Sequence, residues 1–251
     1  MTYVRHDLIG VWEKCYRIYK AMIKDNIWPE IIVGVARGGW VPARILCDLF
    51  AKYYDFSEGK DKKTDLTNLE VIHPHLLNVG MRRYTPGKLE ETKDAEWFQP
   101  IEGKARDDIR GRVTLVVDDV FDVGESMRLV LKNIAKAKPK KLYAAVLDVK
   151  KEPFEPDEEK RKIKIEQRKK AEKRIREKTS GLYFAEKMER DDWILYPWET
   201  LEETLALFKK TGDLKEVQKS MRGHGVPISI KKLIYKKLGY AKEGRMGQKF
   251  E

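Results

Sequence analysis

Apolar residues recur at helical spacing across Leu8, Val11, Cys15, Ile18 and Met22, and Pro29 closes the stretch. This predicts an amphipathic helix. Ile31-Ile32-Val33-Gly34-Val35 is then a short continuous apolar run, the pattern of a parallel strand buried on both faces. The turn Ala36-Arg37-Gly38-Gly39 follows, with a predicted helix over 41–52. A strand is expected near 69–73. Residues 80–108 read as one long polar connection with Pro86, Gly87, Pro100 and Gly103, a length typical of lids and binding loops. Val113 to Val117 is the next buried strand, with a helix from Ser126 to about Ala137, and Leu142 to Val149 is another strand. Short apolar segments return at 182–185 and 193–196, and from Leu201 onward the pattern is helical.

Strands alternating with helices predict a doubly wound α/β fold with a parallel sheet. The expected organisation is a main domain over 1–200, carrying a charged helical insertion at about 155–178, and a C-terminal helical appendage over 201–251. Residues 157–178 hold 11 Lys/Arg against 6 Asp/Glu, with only Ile163, Ile165 and Ile175 as large apolar points. A solvated helix is the reading taken for this segment, and an RNA-binding arm is its rival. As a solvated insertion it is expected to be dispensable for catalysis.

Composition narrows the picture. The chain has 251 residues, 41% of them hydrophobic, and a net charge of +11. No run approaches the roughly 20 apolar residues of a membrane span. The opening residues lack an apolar signal region, so a cytoplasmic protein with no membrane partner is expected. The basic balance suits phosphate-rich partners. Cys15 and Cys47 lack metal-ligand spacing and sit among apolar neighbours, so reduced core thiols are expected. His73-Pro74-His75 has no third ligand nearby and is weak as a metal site.

The chemistry concentrates in residues 113–126. An apolar strand delivers Asp118 and Asp119 to its carboxyl end, Asp122 follows, and Val123-Gly124-Glu125-Ser126 leads into a helix. Backbone amides at a helix start attract an anion, and Gly124 allows close approach. The acids just upstream can accept from two sugar hydroxyls. Arg37-Gly38-Gly39, placed between a buried strand and a helix, offers charge and tight main-chain contact to a second phosphate group.

These segments resemble the type I phosphoribosyltransferases, which use 5-phosphoribosyl-1-diphosphate (PRPP). The match covers the strand, the acid pair, Asp122, Gly124 and Ser126. It departs at Val123, where the family usually has Thr or Ser. Gly34 to Ala43 resembles the pyrophosphate loop of the purine branch, in which the peptide entering the basic residue is often cis. Lys150 and Trp193-Ile194-Leu195-Tyr196-Pro197-Trp198-Glu199 resemble the base-binding elements of the xanthine–guanine enzymes.

The resemblance implies the following roles. Asp118, Asp119, Val123, Gly124, Glu125 and Ser126 bind PRPP, and Asp122 is catalytic. Ala36, Arg37, Gly38 and Gly39 bind pyrophosphate. Lys150, Trp193 and Ile194 bind the base. Arg83 and Tyr84 belong to a flexible closing loop, and Glu199 helps hold magnesium through water. It further implies Mg2+ as cofactor. PRPP, a purine base, pyrophosphate and a nucleoside monophosphate are the implied ligands, in a homodimer. The C-terminal helices look similar to those of some archaeal purine enzymes, including adenine-using ones. Hypoxanthine, guanine or xanthine is favoured as acceptor, with adenine on the same frame as the alternative. The rival from another class is a PRPP-binding regulator that contacts nucleic acid. Nucleic acid is not the expected partner.

Overall fold

The computed structural model of the chain describes residues 3–55, 69–80, 104–150, 157–188 and 193–198. It divides into two compact units, Met1–Leu8 with Trp193–Glu251, and Ile9–Asp192. In the smaller unit, β1 (Tyr3–Arg5) pairs in parallel with β9 (Trp193–Leu195), Val4 opposite Ile194. The His6 amide extends this ladder by donating to the Leu195 carbonyl at 3.0 Å. Tyr196 is buried, with the His6 ring 5.4 Å from it and Trp198 stacked on it at 4.8 Å.

The larger unit is built on a five-stranded parallel sheet. Its strands are β2 (Ile31–Ala36), β5 (His75–Gly80), β6 (Val113–Phe121), β7 (Lys141–Lys150) and β8 (Gly181–Met188), in the order β5-β2-β6-β7-β8. All four pairings are parallel. Every connection must therefore cross over a face of the sheet. Helices α1 (Leu8–Lys24) and α2 (Trp40–Leu49) share one face: Cys15 Sγ of α1 lies 3.8 Å from the Pro42 carbonyl of α2, and Lys14 of α1 is paired with Asp148 of β7. Helices α4 (Glu125–Ala135) and α5 (Glu158–Lys178) take the other. There Val130, Leu131, Ile134 and Ile175 pack with Ile31, Val33, Val35, Val116 and Val146. The expected doubly wound α/β fold is what forms.

Continuous apolar strands have the physical cause the sequence suggested: Ile31, Ile32, Val33, Leu115, Val116 and Val117 are all fully buried, because helices cover both faces. Strand alternation normally keeps one parity on one face. Here Val116 and Phe121 both face the α4–α5 cluster, as do Val146 and Val149. The alternation thus shifts by one at the same level of β6 and β7, where β6 carries Asp118 and Asp119.

Several boundaries differ from the sequence expectation. The helix expected over 41–52 ends at Leu49, and Lys52–Asp55 forms β3, antiparallel to β4 (Leu69–Ile72). The connection expected over 80–108 ends in a short helix, α3 (Lys104–Ile109). The larger correction concerns 157–178. It is helical, as expected, but it is the crossover between the adjacent parallel strands β7 and β8, with Ala171 and Ile175 buried. It is therefore part of the fold, and the expectation that it is dispensable does not stand. The helices expected over 201–251 lie outside the described residues. No described helix is long and apolar enough to cross a membrane. Cys15 and Cys47 are free, buried thiols, as expected. Burial pushes the Cys15 thiol up to about 12. His73 pairs with Asp48 and His75 with Asp108, each at 3.5 Å.

Candidate active site at the strand ends

In chain order the sheet strands run 2-1-3-4-5, so the direction of winding reverses between β2 and β6. An open α/β sheet binds ligands in the crevice at such a switch point, beyond the carboxyl ends of the strands. Both phosphate-binding candidates lie there, one at the end of each flanking strand.

After β2, the Ala36–Arg37 peptide is cis, as the family resemblance implies. The Gly39 amide donates to the Val35 carbonyl at 2.8 Å, folding the loop back into α2. Both glycines are forced by proximity to β6. A Cβ on Gly39 would lie 2.2 Å from the Val117 carbonyl oxygen and 2.9 Å from Asp118 Cα. A Cβ on Gly38 would lie 1.9 Å from Asp119 Oδ2. The Arg37 side chain is exposed at the loop's tip.

At the end of β6 each acid is fixed by a local hydrogen bond. The Asp119 amide donates to Asp118 Oδ1 at 3.0 Å, and the Val120 amide donates to Asp119 Oδ1 at 2.8 Å. Asp118 is buried and Asp119 half-buried. Asp122 is half-buried, but its Oδ1 is buried and accepts no hydrogen bond among the described residues. A buried unsatisfied carboxylate oxygen is costly and points to function. Gly124 is the N-cap of α4, with φ +78° and no capping side chain, so the first amides of α4 open toward the loop. The left-handed φ and the Phe121 ring, 2.4 Å from a Cβ built here, both demand glycine. Ser126 lies in the first turn, as does Glu125, whose carboxylate is forked by Arg128, one arm at 2.8 Å from Nε.

Lys150 ends β7, buried. Two residues before it, Asp148 is fully buried and paired with Lys14 of α1, which also reaches Glu186 of β8 at 3.0 Å. Sequence reasoning missed this triad. Its signals were an acid within an apolar strand and a lysine within the apolar stripe of the first helix. It also missed Arg168 of α5, whose electrostatic neighbours include Glu172 and Asp122. Burial pulls this guanidinium below its usual range, and those two carboxylates oppose the shift. Nothing in the charged run around Arg168 singles it out.

Thus Ala36, Arg37, Gly38, Gly39, Asp118, Asp119, Asp122, Val123, Gly124, Glu125, Ser126 and Lys150 belong to one unit. Trp193 and Ile194 belong to β9 of the other, where Ile194 is buried. Arg83, Tyr84 and Glu199 lie outside the described residues. Among the described residues no group of three His, Cys, Asp or Glu could hold a metal ion.

A parallel sheet with a glycine loop and an acid-bearing loop at its switch point defines an open α/β protein with a candidate ligand crevice at its strand ends. The chain matches the phosphoribosyl transferase domain family over residues 8–177, and it belongs to that family, a family of transferases. Among solved structures it is similar to a purine phosphoribosyltransferase from Pyrococcus horikoshii Ot3, at 19% identity and a TM-score of 0.47, over 79% of this chain and 94% of that one. A hypothetical protein from Neisseria gonorrhoeae with bound ppGpp aligns at 17% identity and a TM-score of 0.47, covering 82% and 94% of the two chains. The xanthine-guanine-hypoxanthine phosphoribosyltransferase of Helicobacter pylori aligns at 16% identity and a TM-score of 0.42, covering 81% and 97%. No curated protein matches the chain.

Proposed function

We propose that the chain transfers the 5-phosphoribosyl group of PRPP to a free purine base and releases pyrophosphate. Hypoxanthine, guanine or xanthine is favoured over adenine. The observation that carries the reading is the packing of Gly38 against the Asp119 carboxylate. It joins the proposed pyrophosphate loop to the proposed ribose-binding acids, as a substrate with phosphates on both sides of a ribose requires.

In this reading the amides of Val123, Gly124, Glu125 and Ser126, with the Ser126 hydroxyl, hold the 5′-phosphate at the positive end of α4. Val123 offers only its amide. Asp118 and Asp119, held at the end of β6, accept from the two ribose hydroxyls. The Ala36–Gly39 backbone and the Arg37 charge neutralise the leaving diphosphate. The C1′–oxygen bond to diphosphate breaks as purine N9 bonds to C1′, through a cationic sugar that the acid pair stabilises. Asp122, whose Oδ1 accepts no hydrogen bond among the described residues, takes the proton shed at N7. The family resemblance assigns Lys150 to the 6-oxo group, Trp193 to stacking on the base and the Ile194 backbone to its edge. Arg83 and Tyr84 close over the reacting bonds.

Among the described residues the carboxylates do not build a metal cage. Mg2+ usually binds through one or two carboxylates plus substrate phosphates. Asp118 and Asp119 at the end of β6 fit that pattern, the resemblance assigns Glu199 to the ion through water, and the ion would add positive charge at the leaving diphosphate. A homodimer in the cytoplasm, of archaeal type with a helical extension over 201–251, completes the proposal.

The test is incubation with PRPP, Mg2+ and, separately, hypoxanthine, guanine, xanthine and adenine, with chromatographic detection of the nucleotide. Formation with a 6-oxopurine supports the reading. Formation with adenine alone would move the assignment to the alternative base.

A further inference from the structure

Helix α5 and strand β8 enclose, with the ends of β6 and β7, a cavity of about 230 Å3. Its apolar wall includes Phe121, Leu182, Phe184 and Met188, and its charged rim is Arg168, Glu172 and Lys187. Phe121 and Val149 line it from the side of the sheet that packs against α4 and α5. None of these residues has a role in the proposed transfer.

The lining chemistry selects a ligand. Lys187 Nζ stands 4.9 Å from the centre of the Phe184 ring. Glu172 is already engaged, accepting from Arg176 Nε and Nη2 at 3.1 and 2.9 Å. Among the described residues, Arg168, Lys187 and Arg176 stand near Glu172 and Asp122. Arg168 is half-buried at this rim, and a guanidinium presents a planar fork that matches carboxylate and phosphate oxygens. A cavity of about 150 Å3 holds a benzene ring, so this one has room for a ring and one charged substituent.

We propose that the cavity is an effector site for a small aromatic anion, a single aromatic ring carrying one carboxylate or phosphate. The ring lies among Phe121, Leu182, Phe184 and Met188, and Arg168 and Lys187 hold the charge. The Phe121 ring also packs directly beneath Gly124, where a Cβ would meet it at 2.4 Å. A ligand that displaces this ring therefore displaces the N-cap of α4. This coupling rests on the proposed PRPP reading; binding in the cavity does not.

The test titrates the full chain with phenyl phosphate and with benzoate, followed by calorimetry and ligand-observed NMR, with benzylamine as the cationic control. Saturable binding of one anion per chain is expected. It should weaken at least tenfold in Arg168→Met and in Leu182→Trp, which fills the cavity away from the phosphate loop. Lys173→Met, exposed on the same helix, should bind like the parent. Failure of both anions to saturate, equal affinity for benzylamine, or undiminished binding in a folded Arg168→Met would overturn the site. If Leu182→Trp does not fold, Arg168→Met decides alone. The PRPP dissociation constant, measured with and without saturating phenyl phosphate, should change at least threefold, and an unchanged value would overturn the coupling. A parent chain that binds the anion but no PRPP would sink the proposed function and leave the cavity site standing.

Discussion

Gly38→Ala and Gly39→Ala look alike in sequence and should differ sharply in effect. At Gly38 the added Cβ would sit 1.9 Å from Asp119 Oδ2 and 2.3 Å from its Cγ. The obstacle is a side chain, so it can rotate away. Doing so gives up the bond from the Val120 amide to Asp119 Oδ1, at 2.8 Å, and any bond from the carboxylate to a ribose hydroxyl. A hydrogen bond to a charged group contributes about 1.5–3 kcal/mol. PRPP affinity should therefore fall roughly 10- to 150-fold, and stability by about 1.5–3 kcal/mol, through the lost backbone bond. At Gly39 the nearest atoms are the carbonyl oxygens of Val117 and Val35, at 2.2 and 2.8 Å. These belong to paired strands and cannot rotate aside. Strands β2 and β6 would have to separate, and a loss of about 3 kcal/mol or more is expected. Urea unfolding and calorimetric titration with PRPP and Mg2+ measure the two effects. A Gly38→Ala protein with parent PRPP affinity would refute the placement of Asp119 on the ribose.

Asp122→Asn should fold and bind PRPP but turn over about 10²–10⁴-fold more slowly, read as kcat under saturating substrates; Asp118→Asn should instead raise the PRPP dissociation constant. Replacing residues 157–178 with a short Gly/Ser linker should unfold the larger unit. Helix α5 is the crossover from β7 to β8 and buries Ala171 and Ile175, contacts that a Gly/Ser linker cannot replace; a cooperative, parent-like melting curve would contradict this. Cys15 ionises at about 12 in the folded chain, against about 9 when unfolded. The unfolded state therefore releases its proton first, and stability should fall by about 1.4 kcal/mol per pH unit between those values. Native protein should resist thiol alkylation at pH 8, and rapid labelling of Cys15 without unfolding would count against its burial.

The central strands were legible because burial on both faces leaves an unbroken apolar run, as at Ile31–Val35 and Val113–Val117. Edge strand β5 was not: His75 and Asn78 are exposed, so its pattern is interrupted. Helix α5 was read as a helix but not as a crossover. It meets the core through Ala171 and Ile175, and so small a seam leaves little apolar periodicity. Of the candidate site, the loops after β2 and β6 could be located because Gly38 and Gly39 follow the first strand and Asp122 and Gly124 follow the second. The Lys14–Asp148–Glu186 triad joins residues more than 130 positions apart, and no local pattern encodes such a pairing. The contact between Gly38 and Asp119 depends in the same way on β2 and β6 being neighbours, which is a property of strand order.

The central claim is phosphoribosyl transfer to a purine, and base-dependent release of pyrophosphate tests it most directly. With PRPP and Mg2+ held saturating, each of hypoxanthine, guanine and xanthine is added in turn and pyrophosphate is counted against nucleotide formed. The account predicts one pyrophosphate per nucleotide with at least one of these bases, little release without a base, and a loss of about 10²–10⁴-fold in Asp122→Asn. PRPP binding with no pyrophosphate released in the presence of any of the three bases, or of adenine, would contradict it.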